Sequence, residues 1–322
     1  MIGYAAELKE KILDGYIISK AEAMKLVDAD FNELVSAANE IREKLCGNTF
    51  DICTIINGKS GRCSENCKYC AQAGCYNTQV ETYPLLSSDI IVKQARYNKE
   101  RGVLRFSIVT SGRALSDSEV SSVCETVSRI RKEVGIEVCI SGGLLNESQF
   151  ALLHKAGASR VHNNLESSES YFPNVCTTHT YEDKKNAIRA AFAAGMEVCS
   201  GGIIGLGESM EDRIDMALTV RELGVKSMPV NVLCPIPGTP YENNKVLSEE
   251  EVARTVAIFR FINPRAAIRM AGGRGTMKDA GRICFESGSN AAISGDMLTT
   301  SGYTIAKDMK MLDELGFKLE TV

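Results

Sequence analysis

Three cysteines stand on one short stretch of the chain, Cys63, Cys67 and Cys70, with the spacing C-x3-C-x2-C. Three thiolates this close can hold three irons of a 4Fe–4S cluster, whereas closed zinc sites and ordinary electron-transfer clusters use four protein ligands. A zinc site completed by a distant residue is the alternative, which the lack of paired C-x2-C motifs disfavours. Cys75, five residues later, is interpreted as a bystander. The spacing therefore predicts a cluster with one open iron.

An open iron can bind the amino and carboxylate groups of S-adenosylmethionine. An electron from the cluster then cleaves its S–C bond and releases a 5′-deoxyadenosyl radical. In that case the cofactor supplies the difficult chemistry and the protein positions the reactants. Tyr69 stands between the last two cysteines, where an aromatic residue resembles the one that lies near the adenine in the radical S-adenosylmethionine superfamily.

A second group of residues offers amide and carboxylate groups at the ends of predicted strands. Asn164 and Glu166 follow one strand, Asn231 lies late in another, and a glycine-rich run covers Cys199–Glu208. Buried amides need hydrogen-bond partners, so these groups suit ribose hydroxyls and a ureido-type substrate. Helix N-capping by Asn164 and Glu166 is the alternative. The glycine spacing matches neither a dinucleotide fingerprint nor a phosphate-binding loop.

The chain contains 12 cysteines and 3 histidines. In a long chain without an export signal, many cysteines indicate metal or redox chemistry rather than disulfides. Some cysteines are still expected to be ordinary buried thiols, because free cysteine behaves as a small hydrophobic residue; we assign this role to Cys46, Cys124, Cys176 and Cys284. The histidines are not paired at metal-ligand spacing and are interpreted as structural: His154, His162 and His179.

Short apolar runs alternate with longer amphipathic stretches, which is typical of parallel strands joined by helices. Residues 1–47 are predicted to form an N-terminal helical cap, and residues 48–322 an α/β fold, a (β/α)8 TIM-type barrel of the radical S-adenosylmethionine kind. No linker divides the chain further. The predicted strands are Ile52–Ile56, Leu104–Val109, Glu137–Ile140, Arg160–Asn163, Glu197–Ile204, Ser227–Leu233, Ala267–Ala271 and Ala291–Ser294.

The helices between these strands carry the charge pattern of the helix dipole. Ser116–Val134 has acidic residues in its first turn and basic residues in its last turn, and Glu182–Ala194 and Ser248–Phe261 are interpreted in the same way. The final stretch, Thr299–Val322, is expected to fold back as the last helix of the barrel. In such barrels, residues at the carboxyl ends of the strands face the reaction site.

The composition indicates which classes of molecule the protein is expected to bind. A net charge of −4 and a pI near 5.6 give no general attraction to nucleic acid. No stretch approaches the roughly 18 apolar residues of a membrane span, and the N-terminus lacks the pattern of a signal peptide. We therefore expect a soluble cytoplasmic protein that acts on a small molecule, without nucleic-acid or membrane partners.

Several further motifs resemble those of the biotin synthase family, over residues from about 50 to 300. The run Asn57–Cys63 leads into Cys67-Lys68-Tyr69-Cys70-Ala71-Gln72, and the other motifs follow in the family's order: His162–Ser167, Thr177–Tyr181, Cys199–Glu208, Pro229-Val230-Asn231, Gly238-Thr239-Pro240 and Ile268–Arg274. The resemblance implies that Cys63, Cys67 and Cys70 hold the 4Fe–4S cluster. It places Tyr69, Asn164, Glu166 and Lys184 around S-adenosylmethionine.

The same resemblance implies a substrate site for dethiobiotin. Asn164 and Asn231 would face the substrate, and Thr299 and Thr300 would lie near its carboxylate. Two residues depart from the family pattern. Lys184 stands where Arg is usual, which keeps the charge but loses the planar fork, and we expect function to survive this change. Glu166 replaces the more usual Asp.

The family uses an auxiliary cluster inside the barrel as the sulfur donor, held by three cysteines and an arginine. Cys139, Cys199 and Arg269 match that pattern, but Ser107 stands where the family has a cysteine. Our hypothesis is that Cys53, near the start of the first strand, replaces the missing ligand, and that the cluster is [2Fe–2S] or a variant with a different iron or sulfide content. A buried core thiol is the alternative for Cys53, and Cys234 is the other candidate ligand.

The implied activity is therefore sulfur insertion into dethiobiotin to form biotin, with hydrogen abstraction first at C9 and then at C6. Reduced flavodoxin or ferredoxin would supply electrons, and the family suggests a homodimer. Two other interpretations are considered. A hydrogenase-cluster maturase-like radical enzyme shares the barrel, but Arg269 with Cys139 and Cys199 argues against it. A non-catalytic iron–sulfur carrier would not need an open iron or the polar side chains of Asn164 and Asn231 at the strand ends.

Overall fold

The computed structural model describes residues 3–295 and 303–321. Its strands form one sheet in which every named strand pair is parallel, and β1 also pairs with β9, which closes the sheet into a barrel. The strands are β1 (Thr49–Lys59), β2 (Arg105–Thr110), β3 (Glu137–Ser141), β4 (Arg160–His162), β5 (Glu197–Cys199), β6 (Gly202–Ile204), β7 (Ser227–Val232), β8 (Ala267–Met270), β9 (Ala291–Ser294) and β10 (Lys318–Leu319).

Helices follow most strands and surround the barrel. They are α1 (Tyr4–Leu13), α2 (Lys20–Lys25), α3 (Phe31–Cys46), α4 (Ser88–Lys99), α5 (Asp117–Glu133), α6 (Glu147–Ala156), α7 (Phe172–Val175), α8 (Tyr181–Ala193), α9 (Met210–Glu222), α10 (Glu249–Ile262), α11 (Arg282–Phe285) and α12 (Ile305–Glu314). The predicted (β/α)8 barrel is confirmed. None of the helices in the described part of the chain combines the length and apolar character needed to span a bilayer.

Helix ends follow local sequence signals. At the start of α5, Ser116 accepts a hydrogen bond from the backbone of Glu119, whose side chain bonds back to Ser116, so the predicted helix begins where its capping residues stand. At the N-terminus of the chain, α1 packs on α3, and α3 packs on α10 through an apolar stripe. The buried members of this stripe on α3 are Leu34, Ala37, Ala38 and Ile41.

The barrel strands alternate between two environments, as the pleat of a strand requires. Phe106 and Ile108 of β2 belong to the hydrophobic core with the helices, whereas Arg105 and Ser107 line the interior cavity. The same alternation holds on the other strands, where the inward residues are Cys53, Cys139, Arg160, His162, Cys199 and Arg269. Barrel interiors are usually filled by branched aliphatic side chains. Thiols and charges in these positions therefore mark a site.

The prediction of one continuous strand Glu197–Ile204 is wrong. The strand pairing is interrupted at Ser200 and Gly201, so two short strands, β5 and β6, pair with the same side of β7. At the break, the backbone N–H of Gly201 donates to Asn164 Oδ1 at 3.2 Å instead of to another strand. A Cβ on Gly201 would lie 2.1 Å from the carbonyl oxygen of Pro229, so only glycine permits this approach.

The C-terminal segment also differs from the prediction. The helix α12 ends at Glu314, and β10 then adds a short strand beside the start of β1 instead of continuing the helix. A buried ion pair holds α12 to the barrel: Arg274 donates to both carboxylate oxygens of Asp308, at 2.7 and 2.6 Å, and each side chain is 2% exposed.

Removal of this pair tests its contribution to the fold. The variant Asp308→Ala leaves the guanidinium of Arg274 buried without its carboxylate, so we expect the free energy of unfolding to fall by about 3–5 kcal/mol. The measurement is urea denaturation of the cluster-free protein. Asp313→Ala, at an exposed position of the same helix, should change stability by less than about 0.5 kcal/mol. Equal effects of the two substitutions would contradict the assignment.

Candidate functional site

A cavity of about 370 Å³ runs from the carboxyl ends of the strands into the barrel interior. The cavity brings together most of the residues that the sequence predicts for the site, although they come from separate strands and loops. Those that line it are Cys53, Cys63, Tyr69, Cys70, Cys139, Asn164, Glu166, Lys184, Cys199, Asn231 and Arg269. Thr299 and Thr300 lie outside the described residues. Cys234 also lines the cavity, and Cys75 is exposed.

The three-cysteine loop follows β1 and is held by its own backbone. The N–H of Cys63 donates to the carbonyl of Gln72 at 3.0 Å, and the N–H of Gly74 donates to the carbonyl of Cys63 at 2.8 Å. The Gln72 side chain accepts from the N–H of Gly61. The loop is therefore preorganised, with Cys63 and Cys70 at the cavity. Burial raises the pKa of Cys70 to about 11.

Cys67 does not line the cavity in this structure. Its sulfur shares a hydrogen bond with Cys176, and the ligand atoms of Cys67, Cys176 and His179 all lie within 4.8 Å of one another. The shared hydrogen bond lowers the pKa of Cys176, assisted by His179, and raises that of Cys67. Cys176 is buried as predicted, but the interpretation of Cys176 and His179 as ordinary structural residues misses this contact.

The residues after β4 form one side of the cavity mouth. Asn164 Nδ2 donates to Glu166 Oε2 at 3.3 Å, and Tyr69 shares a hydrogen bond with Glu166. Glu166 adopts a left-handed backbone conformation, with φ of 71°, which is uncommon for a residue with a side chain. Its N–H and C=O bond to Gly201 and Ile203. Burial of the Tyr69 side chain is the main cause that raises its pKa, and the negative charge of Glu166 is the second cause.

The side-chain amides of Asn164 and Asn231 also form hydrogen bonds with backbone groups. Asn231 Nδ2 donates to the carbonyl of Gly202 at 3.0 Å, and its Oδ1 accepts from the N–H of Gly272 at 3.0 Å. Asn231 thus joins β6 to the loop after β8. Each amide keeps one N–H and one lone pair beyond these bonds, because a side-chain amide has two of each.

Lys184 lines the same mouth from α8. Its ammonium group donates to Asn163 Oδ1 at 3.3 Å, and Asn163 Nδ2 in turn donates to the carbonyl of Gly143 at 3.4 Å. The cation is thereby directed towards the residues around Asn164 and Glu166. Lys185, the next residue, pairs instead with Glu169 and Glu182 away from the cavity.

Deeper in the barrel, three thiols and a guanidinium line the cavity together. Arg269 Nη1 donates to Cys53 Sγ at 3.3 Å, and Cys199 Sγ lies 3.2 Å from Ser227 Oγ. Cys139 carries a hydrogen bond with Ser107, the residue opposite it on β2. All three cysteines are buried. The position of Cys53 with Arg269 is what the sequence hypothesis requires of a ligand.

Sequence reasoning missed the charged residues around these thiols. Asp51 is 0% exposed, and its Oδ2 accepts from Arg269 at 2.8 Å and from Arg160 at 3.1 Å. Arg105 also lines the cavity, and its Nε is buried without a hydrogen-bond partner among the described residues. Glu197 and Glu137 are the other carboxylates nearby, and Glu137 also pairs with Arg131, so four guanidinium groups face three carboxylates.

This excess of positive charge acts on the thiols. Burial alone would raise the pKa of Cys199, but hydrogen bonding to His162 and the charges of Arg269 and Arg160 lower it to about 6. Burial raises the pKa of Cys139 to about 12 and raises that of Cys53, where Arg269 opposes the rise. His162, interpreted as structural from the sequence, thus contributes to the site.

The thiol side chains fit iron–sulfur clusters in two parts of the cavity. The upper part is the mouth, lined by Cys63 and Cys70, and the lower part is the barrel interior, lined by Cys53, Cys139 and Cys199. Thiolates are the ligands such clusters require. In the lower part, an anionic sulfide cluster would complement the excess positive charge and give the unpartnered Nε of Arg105 an acceptor. In the upper part, Cys63 and Cys70 face the cavity.

Comparisons with known families divide the chain into two parts. Residues 57–220 match the Radical SAM superfamily, and residues 229–318 match the Biotin and Thiamin Synthesis associated domain. The first match covers the three-cysteine loop and β2 to β6. The second covers β7 to β9 and therefore Arg269.

Curated relatives are similar over nearly their whole length. The chain is 57% identical over 314 residues to a biotin synthase from Brachyspira hyodysenteriae, covering 98% of this chain and 94% of the relative. It is 58% identical over 312 residues to biotin synthase 2 from Corynebacterium diphtheriae, covering 97% and 94%. A biotin synthase from Clostridium botulinum is 54% identical over 311 residues, covering 97% and 98%.

Solved structures share the fold at low identity. A methylornithine synthase superposes with a TM-score of 0.83 at 19% identity, covering 97% of both chains. A maturase of the [FeFe]-hydrogenase superposes with a TM-score of 0.82 at 18% identity, covering 99% of this chain and 76% of the other. These likenesses support the barrel alone.

Proposed function

This chain belongs to the biotin synthase family, and from that membership we propose how its own residues divide the work of inserting sulfur into dethiobiotin. The family consists of radical S-adenosylmethionine enzymes, so a 4Fe–4S cluster and S-adenosylmethionine are its implied cofactors. The maturase-like alternative rests on a likeness of only 18% identity. The observation that carries the proposal is one cavity lined by Cys63 and Cys70 above and by Cys53, Cys139, Cys199 and Arg269 below.

The upper half of the cavity is assigned to radical generation. Cys63, Cys67 and Cys70 hold the 4Fe–4S cluster, which when bound supplies the electron that cleaves S-adenosylmethionine. Tyr69 lies at the adenine, and Glu166 accepts from the ribose hydroxyls in the orientation fixed by its bonds to Gly201 and Ile203. Asn164 and Glu166 are buried, and exclusion of bulk water around them when the cofactor is bound would protect a carbon radical.

The amide groups are assigned to the substrate. Asn164 and Asn231 each have a remaining donor and acceptor, and a ureido ring presents both kinds of group. Because their other bonds fix both amides to the backbone of β6 and its neighbours, the substrate meets a rigid surface. Thr299 and Thr300, which the resemblance places near the carboxylate of dethiobiotin, complete this proposal.

The lower half is assigned to the auxiliary cluster, [2Fe–2S] or a variant of different nuclearity, which supplies the sulfur. Cys53 replaces the ligand lost at Ser107, and Arg269, which donates to Cys53, is held in place by its ion pair with Asp51. Asp51 thereby orients Arg269, and the charges of Arg105 and Arg160 favour the thiolate form of Cys139 against the effect of its burial.

Lys184 offers a test of the cofactor site. Loss of a charged hydrogen-bond donor costs about 1.5–3 kcal/mol, so Lys184→Ala should raise the KM for S-adenosylmethionine by roughly 10- to 100-fold. Lys184→Arg keeps the charge and should stay within about 3-fold. The control is Lys185→Ala, whose side chain pairs with Glu169 and Glu182. Equal KM values for Lys184→Ala and Lys185→Ala would contradict the assignment of Lys184 to the cofactor site.

The remaining proposals concern the whole protein. We propose a cytoplasmic homodimer that receives electrons from reduced flavodoxin or ferredoxin. Within each chain, residues 1–47 form the helical cap, and residues 48–322 form the barrel. Analytical ultracentrifugation of the reconstituted protein tests the dimer, and reduction by purified flavodoxin and ferredoxin tests the donor.

Turnover tests the proposed function directly. The iron- and sulfide-reconstituted protein is incubated anaerobically with a reductant, S-adenosylmethionine and dethiobiotin, and the products are measured by mass spectrometry. Biotin and 5′-deoxyadenosine are the expected products. Release of 5′-deoxyadenosine without biotin would contradict the substrate assignment, and the absence of both would favour an iron–sulfur carrier.

A further inference from the structure

Two thiol sulfurs and an imidazole nitrogen meet beside the three-cysteine loop. The ligand atoms of Cys67, Cys176 and His179 lie within 4.8 Å of one another, and Cys176 Sγ is 3.3 Å from His179 Nδ1. Cys176 and His179 are buried, and Cys67 is half-buried. Two sulfurs and one nitrogen at this separation are donors that suit Zn²⁺ or another thiophilic divalent cation.

The surroundings orient the imidazole of His179 and add a compensating charge. Glu65 Oε2 lies 2.5 Å from His179 Nδ1 and accepts from Thr178 Oγ1 at 2.7 Å. The carboxylate is therefore fixed next to the imidazole nitrogen that faces Cys176. The other ring nitrogen of His179, Nε2, is buried without a hydrogen-bond partner among the described residues. Two sulfurs and an imidazole nitrogen give three protein ligands, and a water molecule would complete a tetrahedral site.

The backbone around these residues is already ordered. Asn66 Oδ1 accepts from the backbone N–H groups of Thr177 and Thr178, at 2.9 and 3.3 Å, and lies 3.3 Å from Cys176 Sγ. The N–H of Lys68 donates to the carbonyl of Val175 at 2.9 Å. The loop carrying Cys67 and the segment carrying Cys176 are thus joined on both sides of the sulfurs. Such preorganisation lowers the cost of binding.

Cys67 belongs to two sets of donors that cannot be filled together. Its sulfur lies with Cys176 in this structure, whereas Cys63 and Cys70 face the cavity. Cys67 has a single thiolate sulfur, so it ligates either the 4Fe–4S cluster or the cation beside Cys176.

We propose that Cys67, Cys176 and His179, with water as the fourth ligand, bind one thiophilic divalent cation such as Zn²⁺ when the 4Fe–4S cluster is absent. The thiol protons leave to solvent as the metal–sulfur bonds form. Formation of the cluster removes Cys67 from this site, so the two metal centres exclude each other. This exclusion rests on the proposed function through the assignment of Cys67 as a cluster ligand, but cation binding itself does not.

A cobalt titration tests the site without the cluster. The cluster-free variant Cys63→Ala/Cys70→Ala keeps the proposed ligands and removes the other two loop thiols. With Co²⁺ it should show the visible absorption of tetrahedral thiolate-bound cobalt at one equivalent. Adding Cys176→Ser, or separately His179→Ala, should abolish the absorption, whereas Cys124→Ser and His154→Ala should leave it unchanged. Circular dichroism checks folding of each variant. Equal absorption with and without Cys176 overturns the proposal.

A competition experiment tests the exclusion. One equivalent of Zn²⁺, added to the cluster-free wild-type chain before iron and sulfide, should slow growth of the 4Fe–4S absorption several-fold. Cys176→Ser should remove this effect, and Cys124→Ser should keep it. Zinc inhibition that persists in Cys176→Ser overturns the exclusion. A cobalt site without zinc inhibition would show instead that Cys67 is not a cluster ligand, which is a failure of the proposed function.

Discussion

Replacement of Cys53 by Ser should abolish biotin formation, by at least roughly 100-fold, while S-adenosylmethionine is still cleaved. Cys53 Sγ lies 3.3 Å from Arg269 Nη1, in the cavity that Cys139 and Cys199 also line, whereas Cys63 and Cys70 lie at the mouth. Loss of Cys53 should therefore stop biotin formation without stopping cleavage of S-adenosylmethionine, two activities that are coupled in the unchanged protein. The measurement is anaerobic turnover with dethiobiotin, in which biotin and 5′-deoxyadenosine are quantified together.

Two further variants sharpen this test. Cys124→Ser, on the outer helix α5, should leave both products unchanged. Ser107 lines the same cavity and lies opposite Cys139 in the β2–β3 ladder, so Ser107→Cys supplies a thiol at the position where the family has its ligand. Ser107→Cys combined with Cys53→Ser should restore biotin formation. Undiminished biotin formation by Cys53→Ser alone would make Cys53 an ordinary core thiol.

Replacement of Cys70 by Ala should have the broader effect, loss of both products. With only two loop thiolates, the 4Fe–4S cluster lacks a ligand, so cleavage of S-adenosylmethionine should fall on the order of 1000-fold or to background. Iron content should fall by about four atoms per chain. Mass spectrometry of 5′-deoxyadenosine and colorimetric iron analysis provide the two readouts.

Cys75 provides the matched control for Cys70. It follows the loop by five residues and is exposed, whereas Cys70 lines the cavity. Cys75→Ala should therefore keep the iron content and the activity of the unchanged protein. A parallel loss of iron in Cys75→Ala would mean that Cys75 serves as a loop ligand, contrary to the motif spacing.

The barrel and most of the residues that line its cavity could be predicted because both depend on local patterns. In β2, the order Arg105-Phe106-Ser107-Ile108 already separates inward polar residues from outward apolar ones. Similarly, the cysteine spacing of the loop is a local signal. Where a long-range hydrogen bond replaced a ladder bond, the prediction failed: the N–H of Gly201 bonds to Asn164, and the strand Glu197–Ile204 is broken there.

The residues that sequence reasoning missed depend on contacts between distant segments. Asp51 pairs with Arg160 and Arg269, which are 109 and 218 positions away in the chain. A lone carboxylate inside a barrel is unfavourable, and only the folded arrangement reveals its two partners. Likewise, 114 positions separate Glu65 from His179, so no spacing rule could indicate their contact.

The central claim is that Cys53, Cys139 and Cys199, with Arg269, hold a second cluster independent of the loop. The most direct test is the iron and acid-labile sulfide content of a reconstituted variant in which Cys63, Cys67 and Cys70 are all replaced by Ala. That variant should retain iron and sulfide, and adding Cys53→Ser should remove both. Iron and sulfide that persist without Cys53, or that are absent while Cys53 is intact, would contradict the claim.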